Sequence, residues 1–296
     1  MIVVFGSINV DFVFSVDTLP QAGQTLLARA MRTEAGGKGA NQAVAAAKDG
    51  ATVFMFGSTG ADALADLALG GLRAAGVDVG GVGQANTTGC ATVCTDAAGR
   101  NQIVVAPGAN LAARQAAATD ALLRESTVVL TQMEADPGET AQLIKRARLA
   151  GVRPIHNLAP AGKLPPDALR ALDMLVVNED EAAWVGQQLG CEGNARELRT
   201  RLRISVIRTL GGAGVEWAEA GGGEGALPGV KVQVRDTTAA GDCFVGVLAA
   251  ALDRGQPLAS AAVRANVAAA LACTRAGSQG SLPTGEEIDR ALHGAS

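Results

Sequence analysis

The sequence predicts an α/β fold, in which a doubly wound, mostly parallel sheet is flanked by helices and carries a small β-sheet lid. From residue 128 onward, short apolar runs alternate with segments of helical periodicity, which is typical of βα units and a parallel sheet. Residues 10–35 and 88–106 instead contain consecutive strand patterns without a helix between them. Apolar residues form 48% of the 296-residue chain, which is enough for a sizeable core.

The first strand, Ile2–Phe5, is a continuous apolar run that ends at a glycine, as expected of a buried parallel strand. We then expect a helix that follows Gly36 and ends near Lys48, and a second helix over Ala61–Ala75. The segment Asp96–Gly99 predicts a hairpin turn. Further strands of this half are predicted at Phe12–Val16, Thr25–Met31, Thr52–Phe56, Thr88–Thr95 and Asn101–Ala106.

The second half is predicted to continue as alternating strands and helices. The Gly-rich segment Ala220–Gly225 is interpreted as a surface turn, and three helices are expected after Gly241. The predicted strands are Val128–Gln132, Val152–Asn157, Met174–Val177, Ile204–Leu210, Gly214–Ala218 and Val230–Val234. The predicted helices are Gly138–Leu149, Pro166–Leu172, Glu179–Leu189 and Ala195–Leu202.

Residues 1–296 are expected to form a single domain, with the lid made from residues 10–35 and 88–106. The lid should lie at the carboxyl ends of the strands, because open α/β sheets bind ligands at that edge. The net charge of −4 argues against a nucleic-acid partner, and no apolar run is long enough to span a membrane. With no basic leader before the first strand and five cysteines outside CxxC spacing, we expect a reducing, cytoplasmic location and no zinc site. The abundance of alanine is interpreted as a compositional bias.

The stretch Asp236–Asp242 (DTTAAGD) is a loop of small residues between a predicted strand and a predicted helix. The free N–H groups at a helix N-terminus bind anions such as phosphate, and small residues let the backbone approach a ligand. Asp242 would lie on the first helical turn, where a carboxylate can accept a proton from a hydroxyl that attacks a phosphoryl group. The alternative is that Asp242 only caps the helix.

Two further motifs lie upstream, Gly6–Asp11 (GSINVD) and Gly36–Asn41 (GGKGAN). The second motif does not have the spacing of a Walker A loop, and the first does not have the Gly-x-Gly-x-x-Gly spacing of a dinucleotide-binding loop. Together with DTTAAGD, in this order and spacing, they make the chain resemble the ribokinase-like family of carbohydrate and nucleoside kinases. The resemblance extends over essentially the whole chain.

The resemblance implies a sugar site in which Asp242 is the catalytic base. Carboxylates and carboxamides suit such a site, because they can hydrogen-bond adjacent hydroxyls. Taken singly, these residues could instead be turn residues, helix-end residues or a surface lysine. The implied sugar-contacting residues are Asp11, Gly37, Lys38, Asn41, Glu134 and Asp242, with Asn9 in support.

The resemblance also implies a nucleotide site in the second half. Asn178 and Glu181 would help to organise Mg²⁺ and the phosphates, although acids at a helix start also simply favour the helix dipole. Ala240 and Gly241 would present N–H groups to the transferred phosphoryl group, and Asn266 would lie near the adenine. The Gly-rich turn that would run along ATP comprises Thr209, Leu210, Gly211, Gly212, Ala213 and Gly214.

A potassium site beside the anion-binding loop is the last implied feature. Its matching positions, several acting through backbone carbonyls, are Asp236, Thr238, Ala272, Arg275, Gly277 and Ser281. The alternative is an ordinary salt bridge between Asp236 and Arg275. Two residues depart from the family pattern: Cys243 stands where Thr or Ser is commoner, and Leu158 stands where Pro is frequent.

The implied activity is ATP-dependent transfer of a phosphoryl group to the 5-hydroxyl of D-ribose, with Mg²⁺ and K⁺, by a homodimer formed through the lid. Another acceptor, such as deoxyribose, a ketosugar or a nucleoside, remains an alternative, and so does a sugar-binding regulator without turnover. A regulator would not need a base, so the combination of Asp242 with the small-residue loop favours an enzyme.

Overall fold

The computed structural model describes residues 1–96 and 100–294, so part of the turn predicted at Asp96–Gly99 lies outside the described residues. Within these residues the main sheet has nine strands, in the order β13-β12-β11-β10-β9-β8-β1-β4-β5. These strands are β1 (Ile2–Phe5), β4 (Val53–Thr59), β5 (Asp78–Gln84), β8 (Val128–Thr131), β9 (Arg153–Asn157), β10 (Met174–Val177), β11 (Ser205–Thr209), β12 (Gly214–Ala218) and β13 (Glu224–Pro228).

Strand β1 lies in the interior of the main sheet and pairs in parallel with β4 and β8. Val3 pairs with Phe54 on one side and with Val129 on the other. The residues of β1 and β8 are completely buried because helices cover both faces of the sheet, which explains their unbroken apolar sequences. Only β12 runs opposite to the other strands of this sheet, since it is antiparallel to both β11 and β13.

A second, four-stranded sheet, called the small sheet below, has the order β3-β2-β6-β7. Strand β2 pairs antiparallel with β3 and parallel with β6, and β6 pairs antiparallel with β7. All residues of β7 are exposed, so this strand is an open edge. The strands are β2 (Asn9–Ser15), β3 (Ala30–Gly36), β6 (Gly89–Thr95) and β7 (Asn101–Ala106).

The helices α1 and α8 pack closely against each other, and this contact positions the site described below. Gly246 of α8 faces α1, where a Cβ atom would lie 2.4 Å from the carbonyl oxygen of Gln42 and 2.6 Å from the Cβ of Ala45. The α-helices of the described residues are α1 (Lys38–Lys48), α2 (Leu64–Ala74), α3 (Asp120–Glu125), α4 (Pro137–Leu149), α5 (Pro166–Ala171), α6 (Glu179–Leu189), α7 (Ala195–Leu202), α8 (Ala240–Asp253), α9 (Leu258–Cys273) and α10 (Gly285–Gly294). None of them is both long and apolar enough to cross a membrane.

The predicted fold class is confirmed, but some predicted elements are wrong. Val230–Val234 alternates like a strand yet forms none, because β13 already occupies the edge beside β12. Strand β13 was not predicted, and its first two residues fall within the predicted surface turn Ala220–Gly225. The strand predicted at Thr25–Met31 begins only at Ala30, where it pairs with Ser15. Strand β5 was missed, since its sequence DVGGVGQ is too rich in glycine to show a strand pattern.

Candidate active site

The site lies where β1 ends and where the helices α1 and α8 begin. Gly37, which precedes α1, has φ +90°, and a Cβ there would lie 2.8 Å from both the Asn9 nitrogen and the Ser7 carbonyl oxygen. A side chain at this position would therefore separate α1 from the chain that leaves β1. The GGKGAN motif thus brings the N-terminus of α1 against the end of β1.

Asp242 is buried in the first turn of α8, and both of its carboxylate oxygens accept hydrogen bonds from α1. The Asn41 amide donates to Oδ2 at 3.0 Å, and the Gln42 amide donates to Oδ1 at 2.9 Å. No side-chain hydrogen bond from Asp242 caps α8, whose N-cap residue is Ala239 with φ +57°. The alternative role of Asp242 as a helix cap is therefore wrong, because the carboxylate faces α1.

Gln42 belongs to a chain of buried carboxamides that the sequence analysis missed. Its Nε2 also donates to Asn157 Oδ1 at 2.9 Å, and its Oε1 accepts from Gln132 Nε2 at 2.7 Å. Asn157 in turn donates to the carbonyl oxygen of Val176 at 3.2 Å. Gln42 directly follows the recognised GGKGAN motif, but nothing in its own sequence position indicates contact with Asp242.

Glu134 follows β8 and is held against the start of α1. Its Oε2 accepts from the Ser7 hydroxyl at 2.6 Å and from the Lys38 backbone N–H at 3.2 Å. The Ser7 hydroxyl also accepts from the Gly39 N–H at 3.3 Å. Glu134 therefore joins the group formed by Lys38, Asn41 and Asp242.

Asp11, on β2, faces several other acids. Burial, together with the nearby carboxylates Glu134, Glu34 and Asp242, raises its pKa to about 7 against the opposing effect of Lys38. Glu34 is the residue of β3 directly paired with Asp11. Burial by itself would lower the pKa of Lys38, but the surrounding carboxylates, led by Asp242 and Glu134, outweigh it and raise this pKa. Lys38 is thus a positively charged side chain surrounded by carboxylates.

Asn9 is buried at the start of β2, where the chain passes from the main sheet to the small sheet. Its side-chain oxygen accepts from Asn110 Nδ2 at 2.7 Å, and Asn110 Oδ1 accepts from the Ile8 N–H at 2.9 Å. Asn110, in the short 3₁₀ helix Gly108–Ala112, was not among the residues predicted for the site. The structure shows that Asn9 has a buried supporting partner there.

Asn178 and Glu181 are engaged with each other at the start of α6. The Asn178 side chain accepts from the Glu181 N–H at 2.8 Å, and Glu181 Oε2 accepts from the Asn178 N–H at 2.9 Å. This reciprocal capping satisfies the helix N-terminus. Burial raises the pKa of Glu181, although the Asn178 N–H and Lys38 oppose the increase. Lys38 also interacts with Asp242, so this one cation acts on a carboxylate of α6 and on a carboxylate of α8.

The Gly-rich turn from Thr209 to Gly214 connects β11 to β12 through a short 3₁₀ helix, Gly211–Ala213. The turn closes by a hydrogen bond from the Leu210 N–H to the Gly214 carbonyl oxygen at 2.8 Å. The Thr209 hydroxyl bonds the Val177 carbonyl oxygen at 3.4 Å, next to Asn178. The turn is therefore adjacent to the start of α6. Asn266, on α9, donates to the Pro228 carbonyl oxygen at 2.9 Å.

Asp236, the first residue of the DTTAAGD loop, is hydrogen-bonded to Thr238 within that loop and to Gly277. Its Oδ1 accepts from the N–H and the hydroxyl of Thr238 at 2.9 and 2.6 Å, and its Oδ2 accepts from the Gly277 N–H at 3.0 Å. Burial would raise the pKa of Asp236, but these hydrogen bonds and Arg32 outweigh it and lower this pKa. Arg32 lies 3.7 Å from Oδ2.

The alternative salt bridge between Asp236 and Arg275 is wrong, because Arg275 pairs with Glu287 at 2.6 Å. The Ala272 carbonyl oxygen accepts from the Arg275 N–H at 3.1 Å, and the buried Ser281 hydroxyl bonds the Ser278 carbonyl oxygen at 2.7 Å. The residues named for the cation thus lie on two chain segments, 236–238 and 272–281. The hydrogen bond from the Gly277 N–H to Asp236 connects these segments.

Cys243 is completely buried beside Asp242, and burial raises the pKa of its thiol. The five cysteines, all within the described ranges, carry free thiols. Cys90 and Cys94 lie four residues apart on β6 and therefore on one face of that strand. Over residues 1–96 and 100–294, no group of three or more His, Cys, Asp or Glu side chains is arranged to hold a metal ion.

A buried carboxylate at the start of a helix, behind a loop of small residues and beside further acids and a lysine, is suited to deprotonating a hydroxyl near an anion. The fold and the site therefore define a small-molecule kinase of the α/β class. The chain belongs to the pfkB family of carbohydrate kinases, whose model matches residues 1–285.

Among curated relatives, the ribokinase of Bacillus subtilis is 36% identical over 294 residues, covering 98% of this chain and 99% of the relative. A deoxyribokinase of Salmonella typhi is 30% identical, with 98% of each chain covered. Among solved structures, the ribokinase of Thermotoga maritima has a TM-score of 0.90 at 32% identity, covering 99% of each chain. The ribokinase of Arabidopsis thaliana, solved with ribose and ATP, has a TM-score of 0.87 at 28% identity and covers 98% of each chain.

Proposed function

We propose that this protein is an ATP-dependent ribose kinase, which transfers the γ-phosphoryl group of ATP to the 5-hydroxyl of D-ribose. The observation that carries the proposal is the buried Asp242 carboxylate, oriented by Asn41 and Gln42 at the N-terminus of α8. The ribokinases among the relatives, one of them solved with ribose and ATP, support ribose as the acceptor.

In this proposal Asp11, Lys38, Asn41 and Glu134 bind the sugar hydroxyls, with Gly37 allowing close approach and Asn9 supporting Asp11. The acids and amides can each accept or donate to adjacent hydroxyls, so together they can fix the ring. Asp242 accepts the proton of the attacking hydroxyl at a carboxylate oxygen, each of which retains lone-pair capacity beyond its one bond to α1.

The nucleotide would lie on the second half of the chain, along the Thr209–Gly214 turn and with its adenine near Asn266. Its terminal phosphates would face the N–H groups of Ala240, Gly241 and Asp242, where the N-terminus of α8 favours negative charge. The positive φ of Ala239 turns the chain into the helix at this point. Lys38 would add positive charge beside the transferred group.

Mg²⁺ prefers oxygen ligands and commonly binds to one or two carboxylates together with substrate phosphates. Asn178 and Glu181 offer such oxygens, and Glu181 is a buried carboxylate whose Oε2 takes part in the cap of α6, so its Oε1 and the Asn178 oxygen fit the ion. When bound, Mg²⁺ supplies neutralisation of the phosphate charge.

The residues named for K⁺ offer carboxylate, hydroxyl and carbonyl oxygens, which suit that ion, and the Arg275 guanidinium is engaged by Glu287 instead of Asp236. Asp236 and Thr238 would hold the ion together with carbonyl or hydroxyl oxygens of Ala272, Arg275, Gly277 and Ser281. When bound, K⁺ supplies fixed positive charge next to the loop that carries Ala240 and Gly241.

The small sheet is proposed to act as a lid, contributed by residues 10–35 and 88–106 of a single domain, that excludes water from the transfer. A homodimer through this sheet is also proposed, since the edge strand β7 exposes apolar side chains, among them Val104 at 73%. A cytoplasmic location accords with the free thiols.

The test is a coupled assay of ADP formation with a panel of ribose, 2-deoxyribose, fructose, glucose and nucleosides. We expect the highest kcat/KM with ribose, and ribose at background level would overturn the proposed acceptor. Because a deoxyribokinase is among the relatives, 2-deoxyribose is the informative competitor. Asp242→Asn should lower kcat by about 10²–10⁴-fold while sugar affinity stays within about tenfold. Near-normal turnover would remove Asp242 from the role of base.

A further inference from the structure

Gln42 directly contacts the proposed base but has no exposed surface through which it could bind a ligand. Its Nε2 group has two hydrogens, which point to Asp242 Oδ1 and to Asn157 Oδ1, both at 2.9 Å. Its Oε1 is occupied by Gln132. All of its hydrogen-bonding groups are therefore directed within the protein.

The orientation of this amide is fixed by its surroundings. If the Gln42 amide were flipped, its oxygen would face two acceptor oxygens and its NH₂ group would face the Gln132 NH₂ group. Asn157 is fixed in the same way, because its NH₂ group donates to the backbone carbonyl of Val176. Gln42 therefore donates both to Asp242 and to Asn157, and Asn157 donates to the backbone of β10, so the Asp242 carboxylate is linked to the main sheet through two fixed amides.

We infer that Gln42 is a positioning residue, which fixes the plane of the Asp242 carboxylate so that its free lone pairs face the attacking hydroxyl. This inference deepens the proposed function and rests on it. Asn41 alone could hold one oxygen while the carboxylate rotates about that bond, whereas donors on both oxygens prevent this rotation. A base must be held within a narrow range of distance and angle to act.

The test is Gln42→Met, which keeps the length of the side chain and removes both donors. We expect kcat to fall about 10- to 100-fold, the range expected of a misplaced catalytic group, while the sugar KM and the calorimetric Kd for sugar stay within about threefold. Unchanged kcat in a variant that binds sugar would overturn the inference. If Gln42→Met does not fold, Gln42→Asn, whose amide is one methylene shorter, is expected to show the same separation of kcat from KM.

The matched control is Thr131→Val. Thr131 is as deeply buried as Gln42 and its hydroxyl bonds His156 Nδ1 at 2.8 Å, but it does not contact Asp242. We expect this variant to lose stability and to keep kcat within about twofold. An equal loss of kcat in Thr131→Val and Gln42→Met would show that Gln42 contributes only to packing.

A double-mutant cycle separates positioning from a general structural effect. In the Asp242→Asn background, Gln42→Met should not lower the residual rate further, because the group that it positions is gone. Multiplied losses would overturn the inference. Failure of the proposed function can be distinguished from failure of this inference, because in the former case the unmodified protein would show no sugar-dependent turnover at all.

Discussion

Asp11→Asn is expected to stabilise the ligand-free protein at high pH while it weakens sugar binding. The pKa of Asp11 is raised by burial from 3.8 in the unfolded chain to about 7 in the folded protein. The folded state therefore retains this proton at pH values where the unfolded state has released it. Stability contributed by Asp11 is fully present below pH 3.8 and is lost as the pH rises through 7.

The size of this effect on the free energy of unfolding follows from the pKa shift of Asp11. One pKa unit corresponds to about 1.4 kcal/mol, so a change from 3.8 to about 7 gives an upper bound of about 4 kcal/mol. Asp11 is only partly buried, and solvent screening reduces the expected effect to about 2 kcal/mol. The asparagine is neutral at every pH and does not carry this cost.

The assay is urea unfolding of both proteins at pH 4.5 and pH 8 without sugar. The free energy of unfolding of Asp11→Asn, relative to the unmodified protein, should rise by about 2 kcal/mol between the two pH values. Asp17→Asn is the control, because Asp17 lies beside the small sheet with its side chain 65% exposed and paired with Arg29. An equal difference at both pH values would refute the reasoning. At pH 8, where Asp11 is ionised, the sugar Kd should rise about 10- to 100-fold, the loss expected for a hydrogen bond to a charged group.

Two further predictions concern other acids. Asp49 has a fully buried side chain that bonds Arg254 and Arg264, so Asp49→Asn should lower the free energy of unfolding by about 3 kcal/mol in urea titrations, and a loss below about 1 kcal/mol would contradict this. Turnover should rise when K⁺ replaces Na⁺ or a bulky organic cation at constant ionic strength and saturating Mg²⁺, and Asp236→Ala should abolish this response. Equal rates in all three salts would exclude the proposed cation site.

Much of the fold could be predicted because the main sheet is buried on both faces. Strands such as Met174–Val177 and helices such as Glu179–Leu189 have unambiguous patterns, and the structure reproduces both with the predicted bounds. Val230–Val234 shows the limit of this reasoning, since alternation indicates a strand only where an unpaired edge is available. That edge is occupied by Glu224–Pro228, whose glycine and proline conceal it in the sequence.

The candidate site was predictable to the extent that its residues lie in motifs. The structure brings Asp242, Asn41 and Lys38 together because the motifs occupy the starts of α1 and α8. Gln42 and Asn110 could not be found in this way. Their contacts depend on which face of a helix or loop meets a segment 102 or 200 residues away, and a buried carboxamide has no sequence signature of its own.

The close contact of α1 with α8 explains why small residues stand at this interface, which the amino-acid composition alone did not explain. Gly246 lies one helical turn after Asp242, and Ala45 lies one turn after Asn41. The small side-chain volume at these two positions sets the separation between the proposed base and its donors, which lie 3.0 and 2.9 Å from it. A methyl group at position 246 would thus alter the proposed site through the spacing of the two helices alone, because it would contact the backbone of Gln42 and the side chain of Ala45.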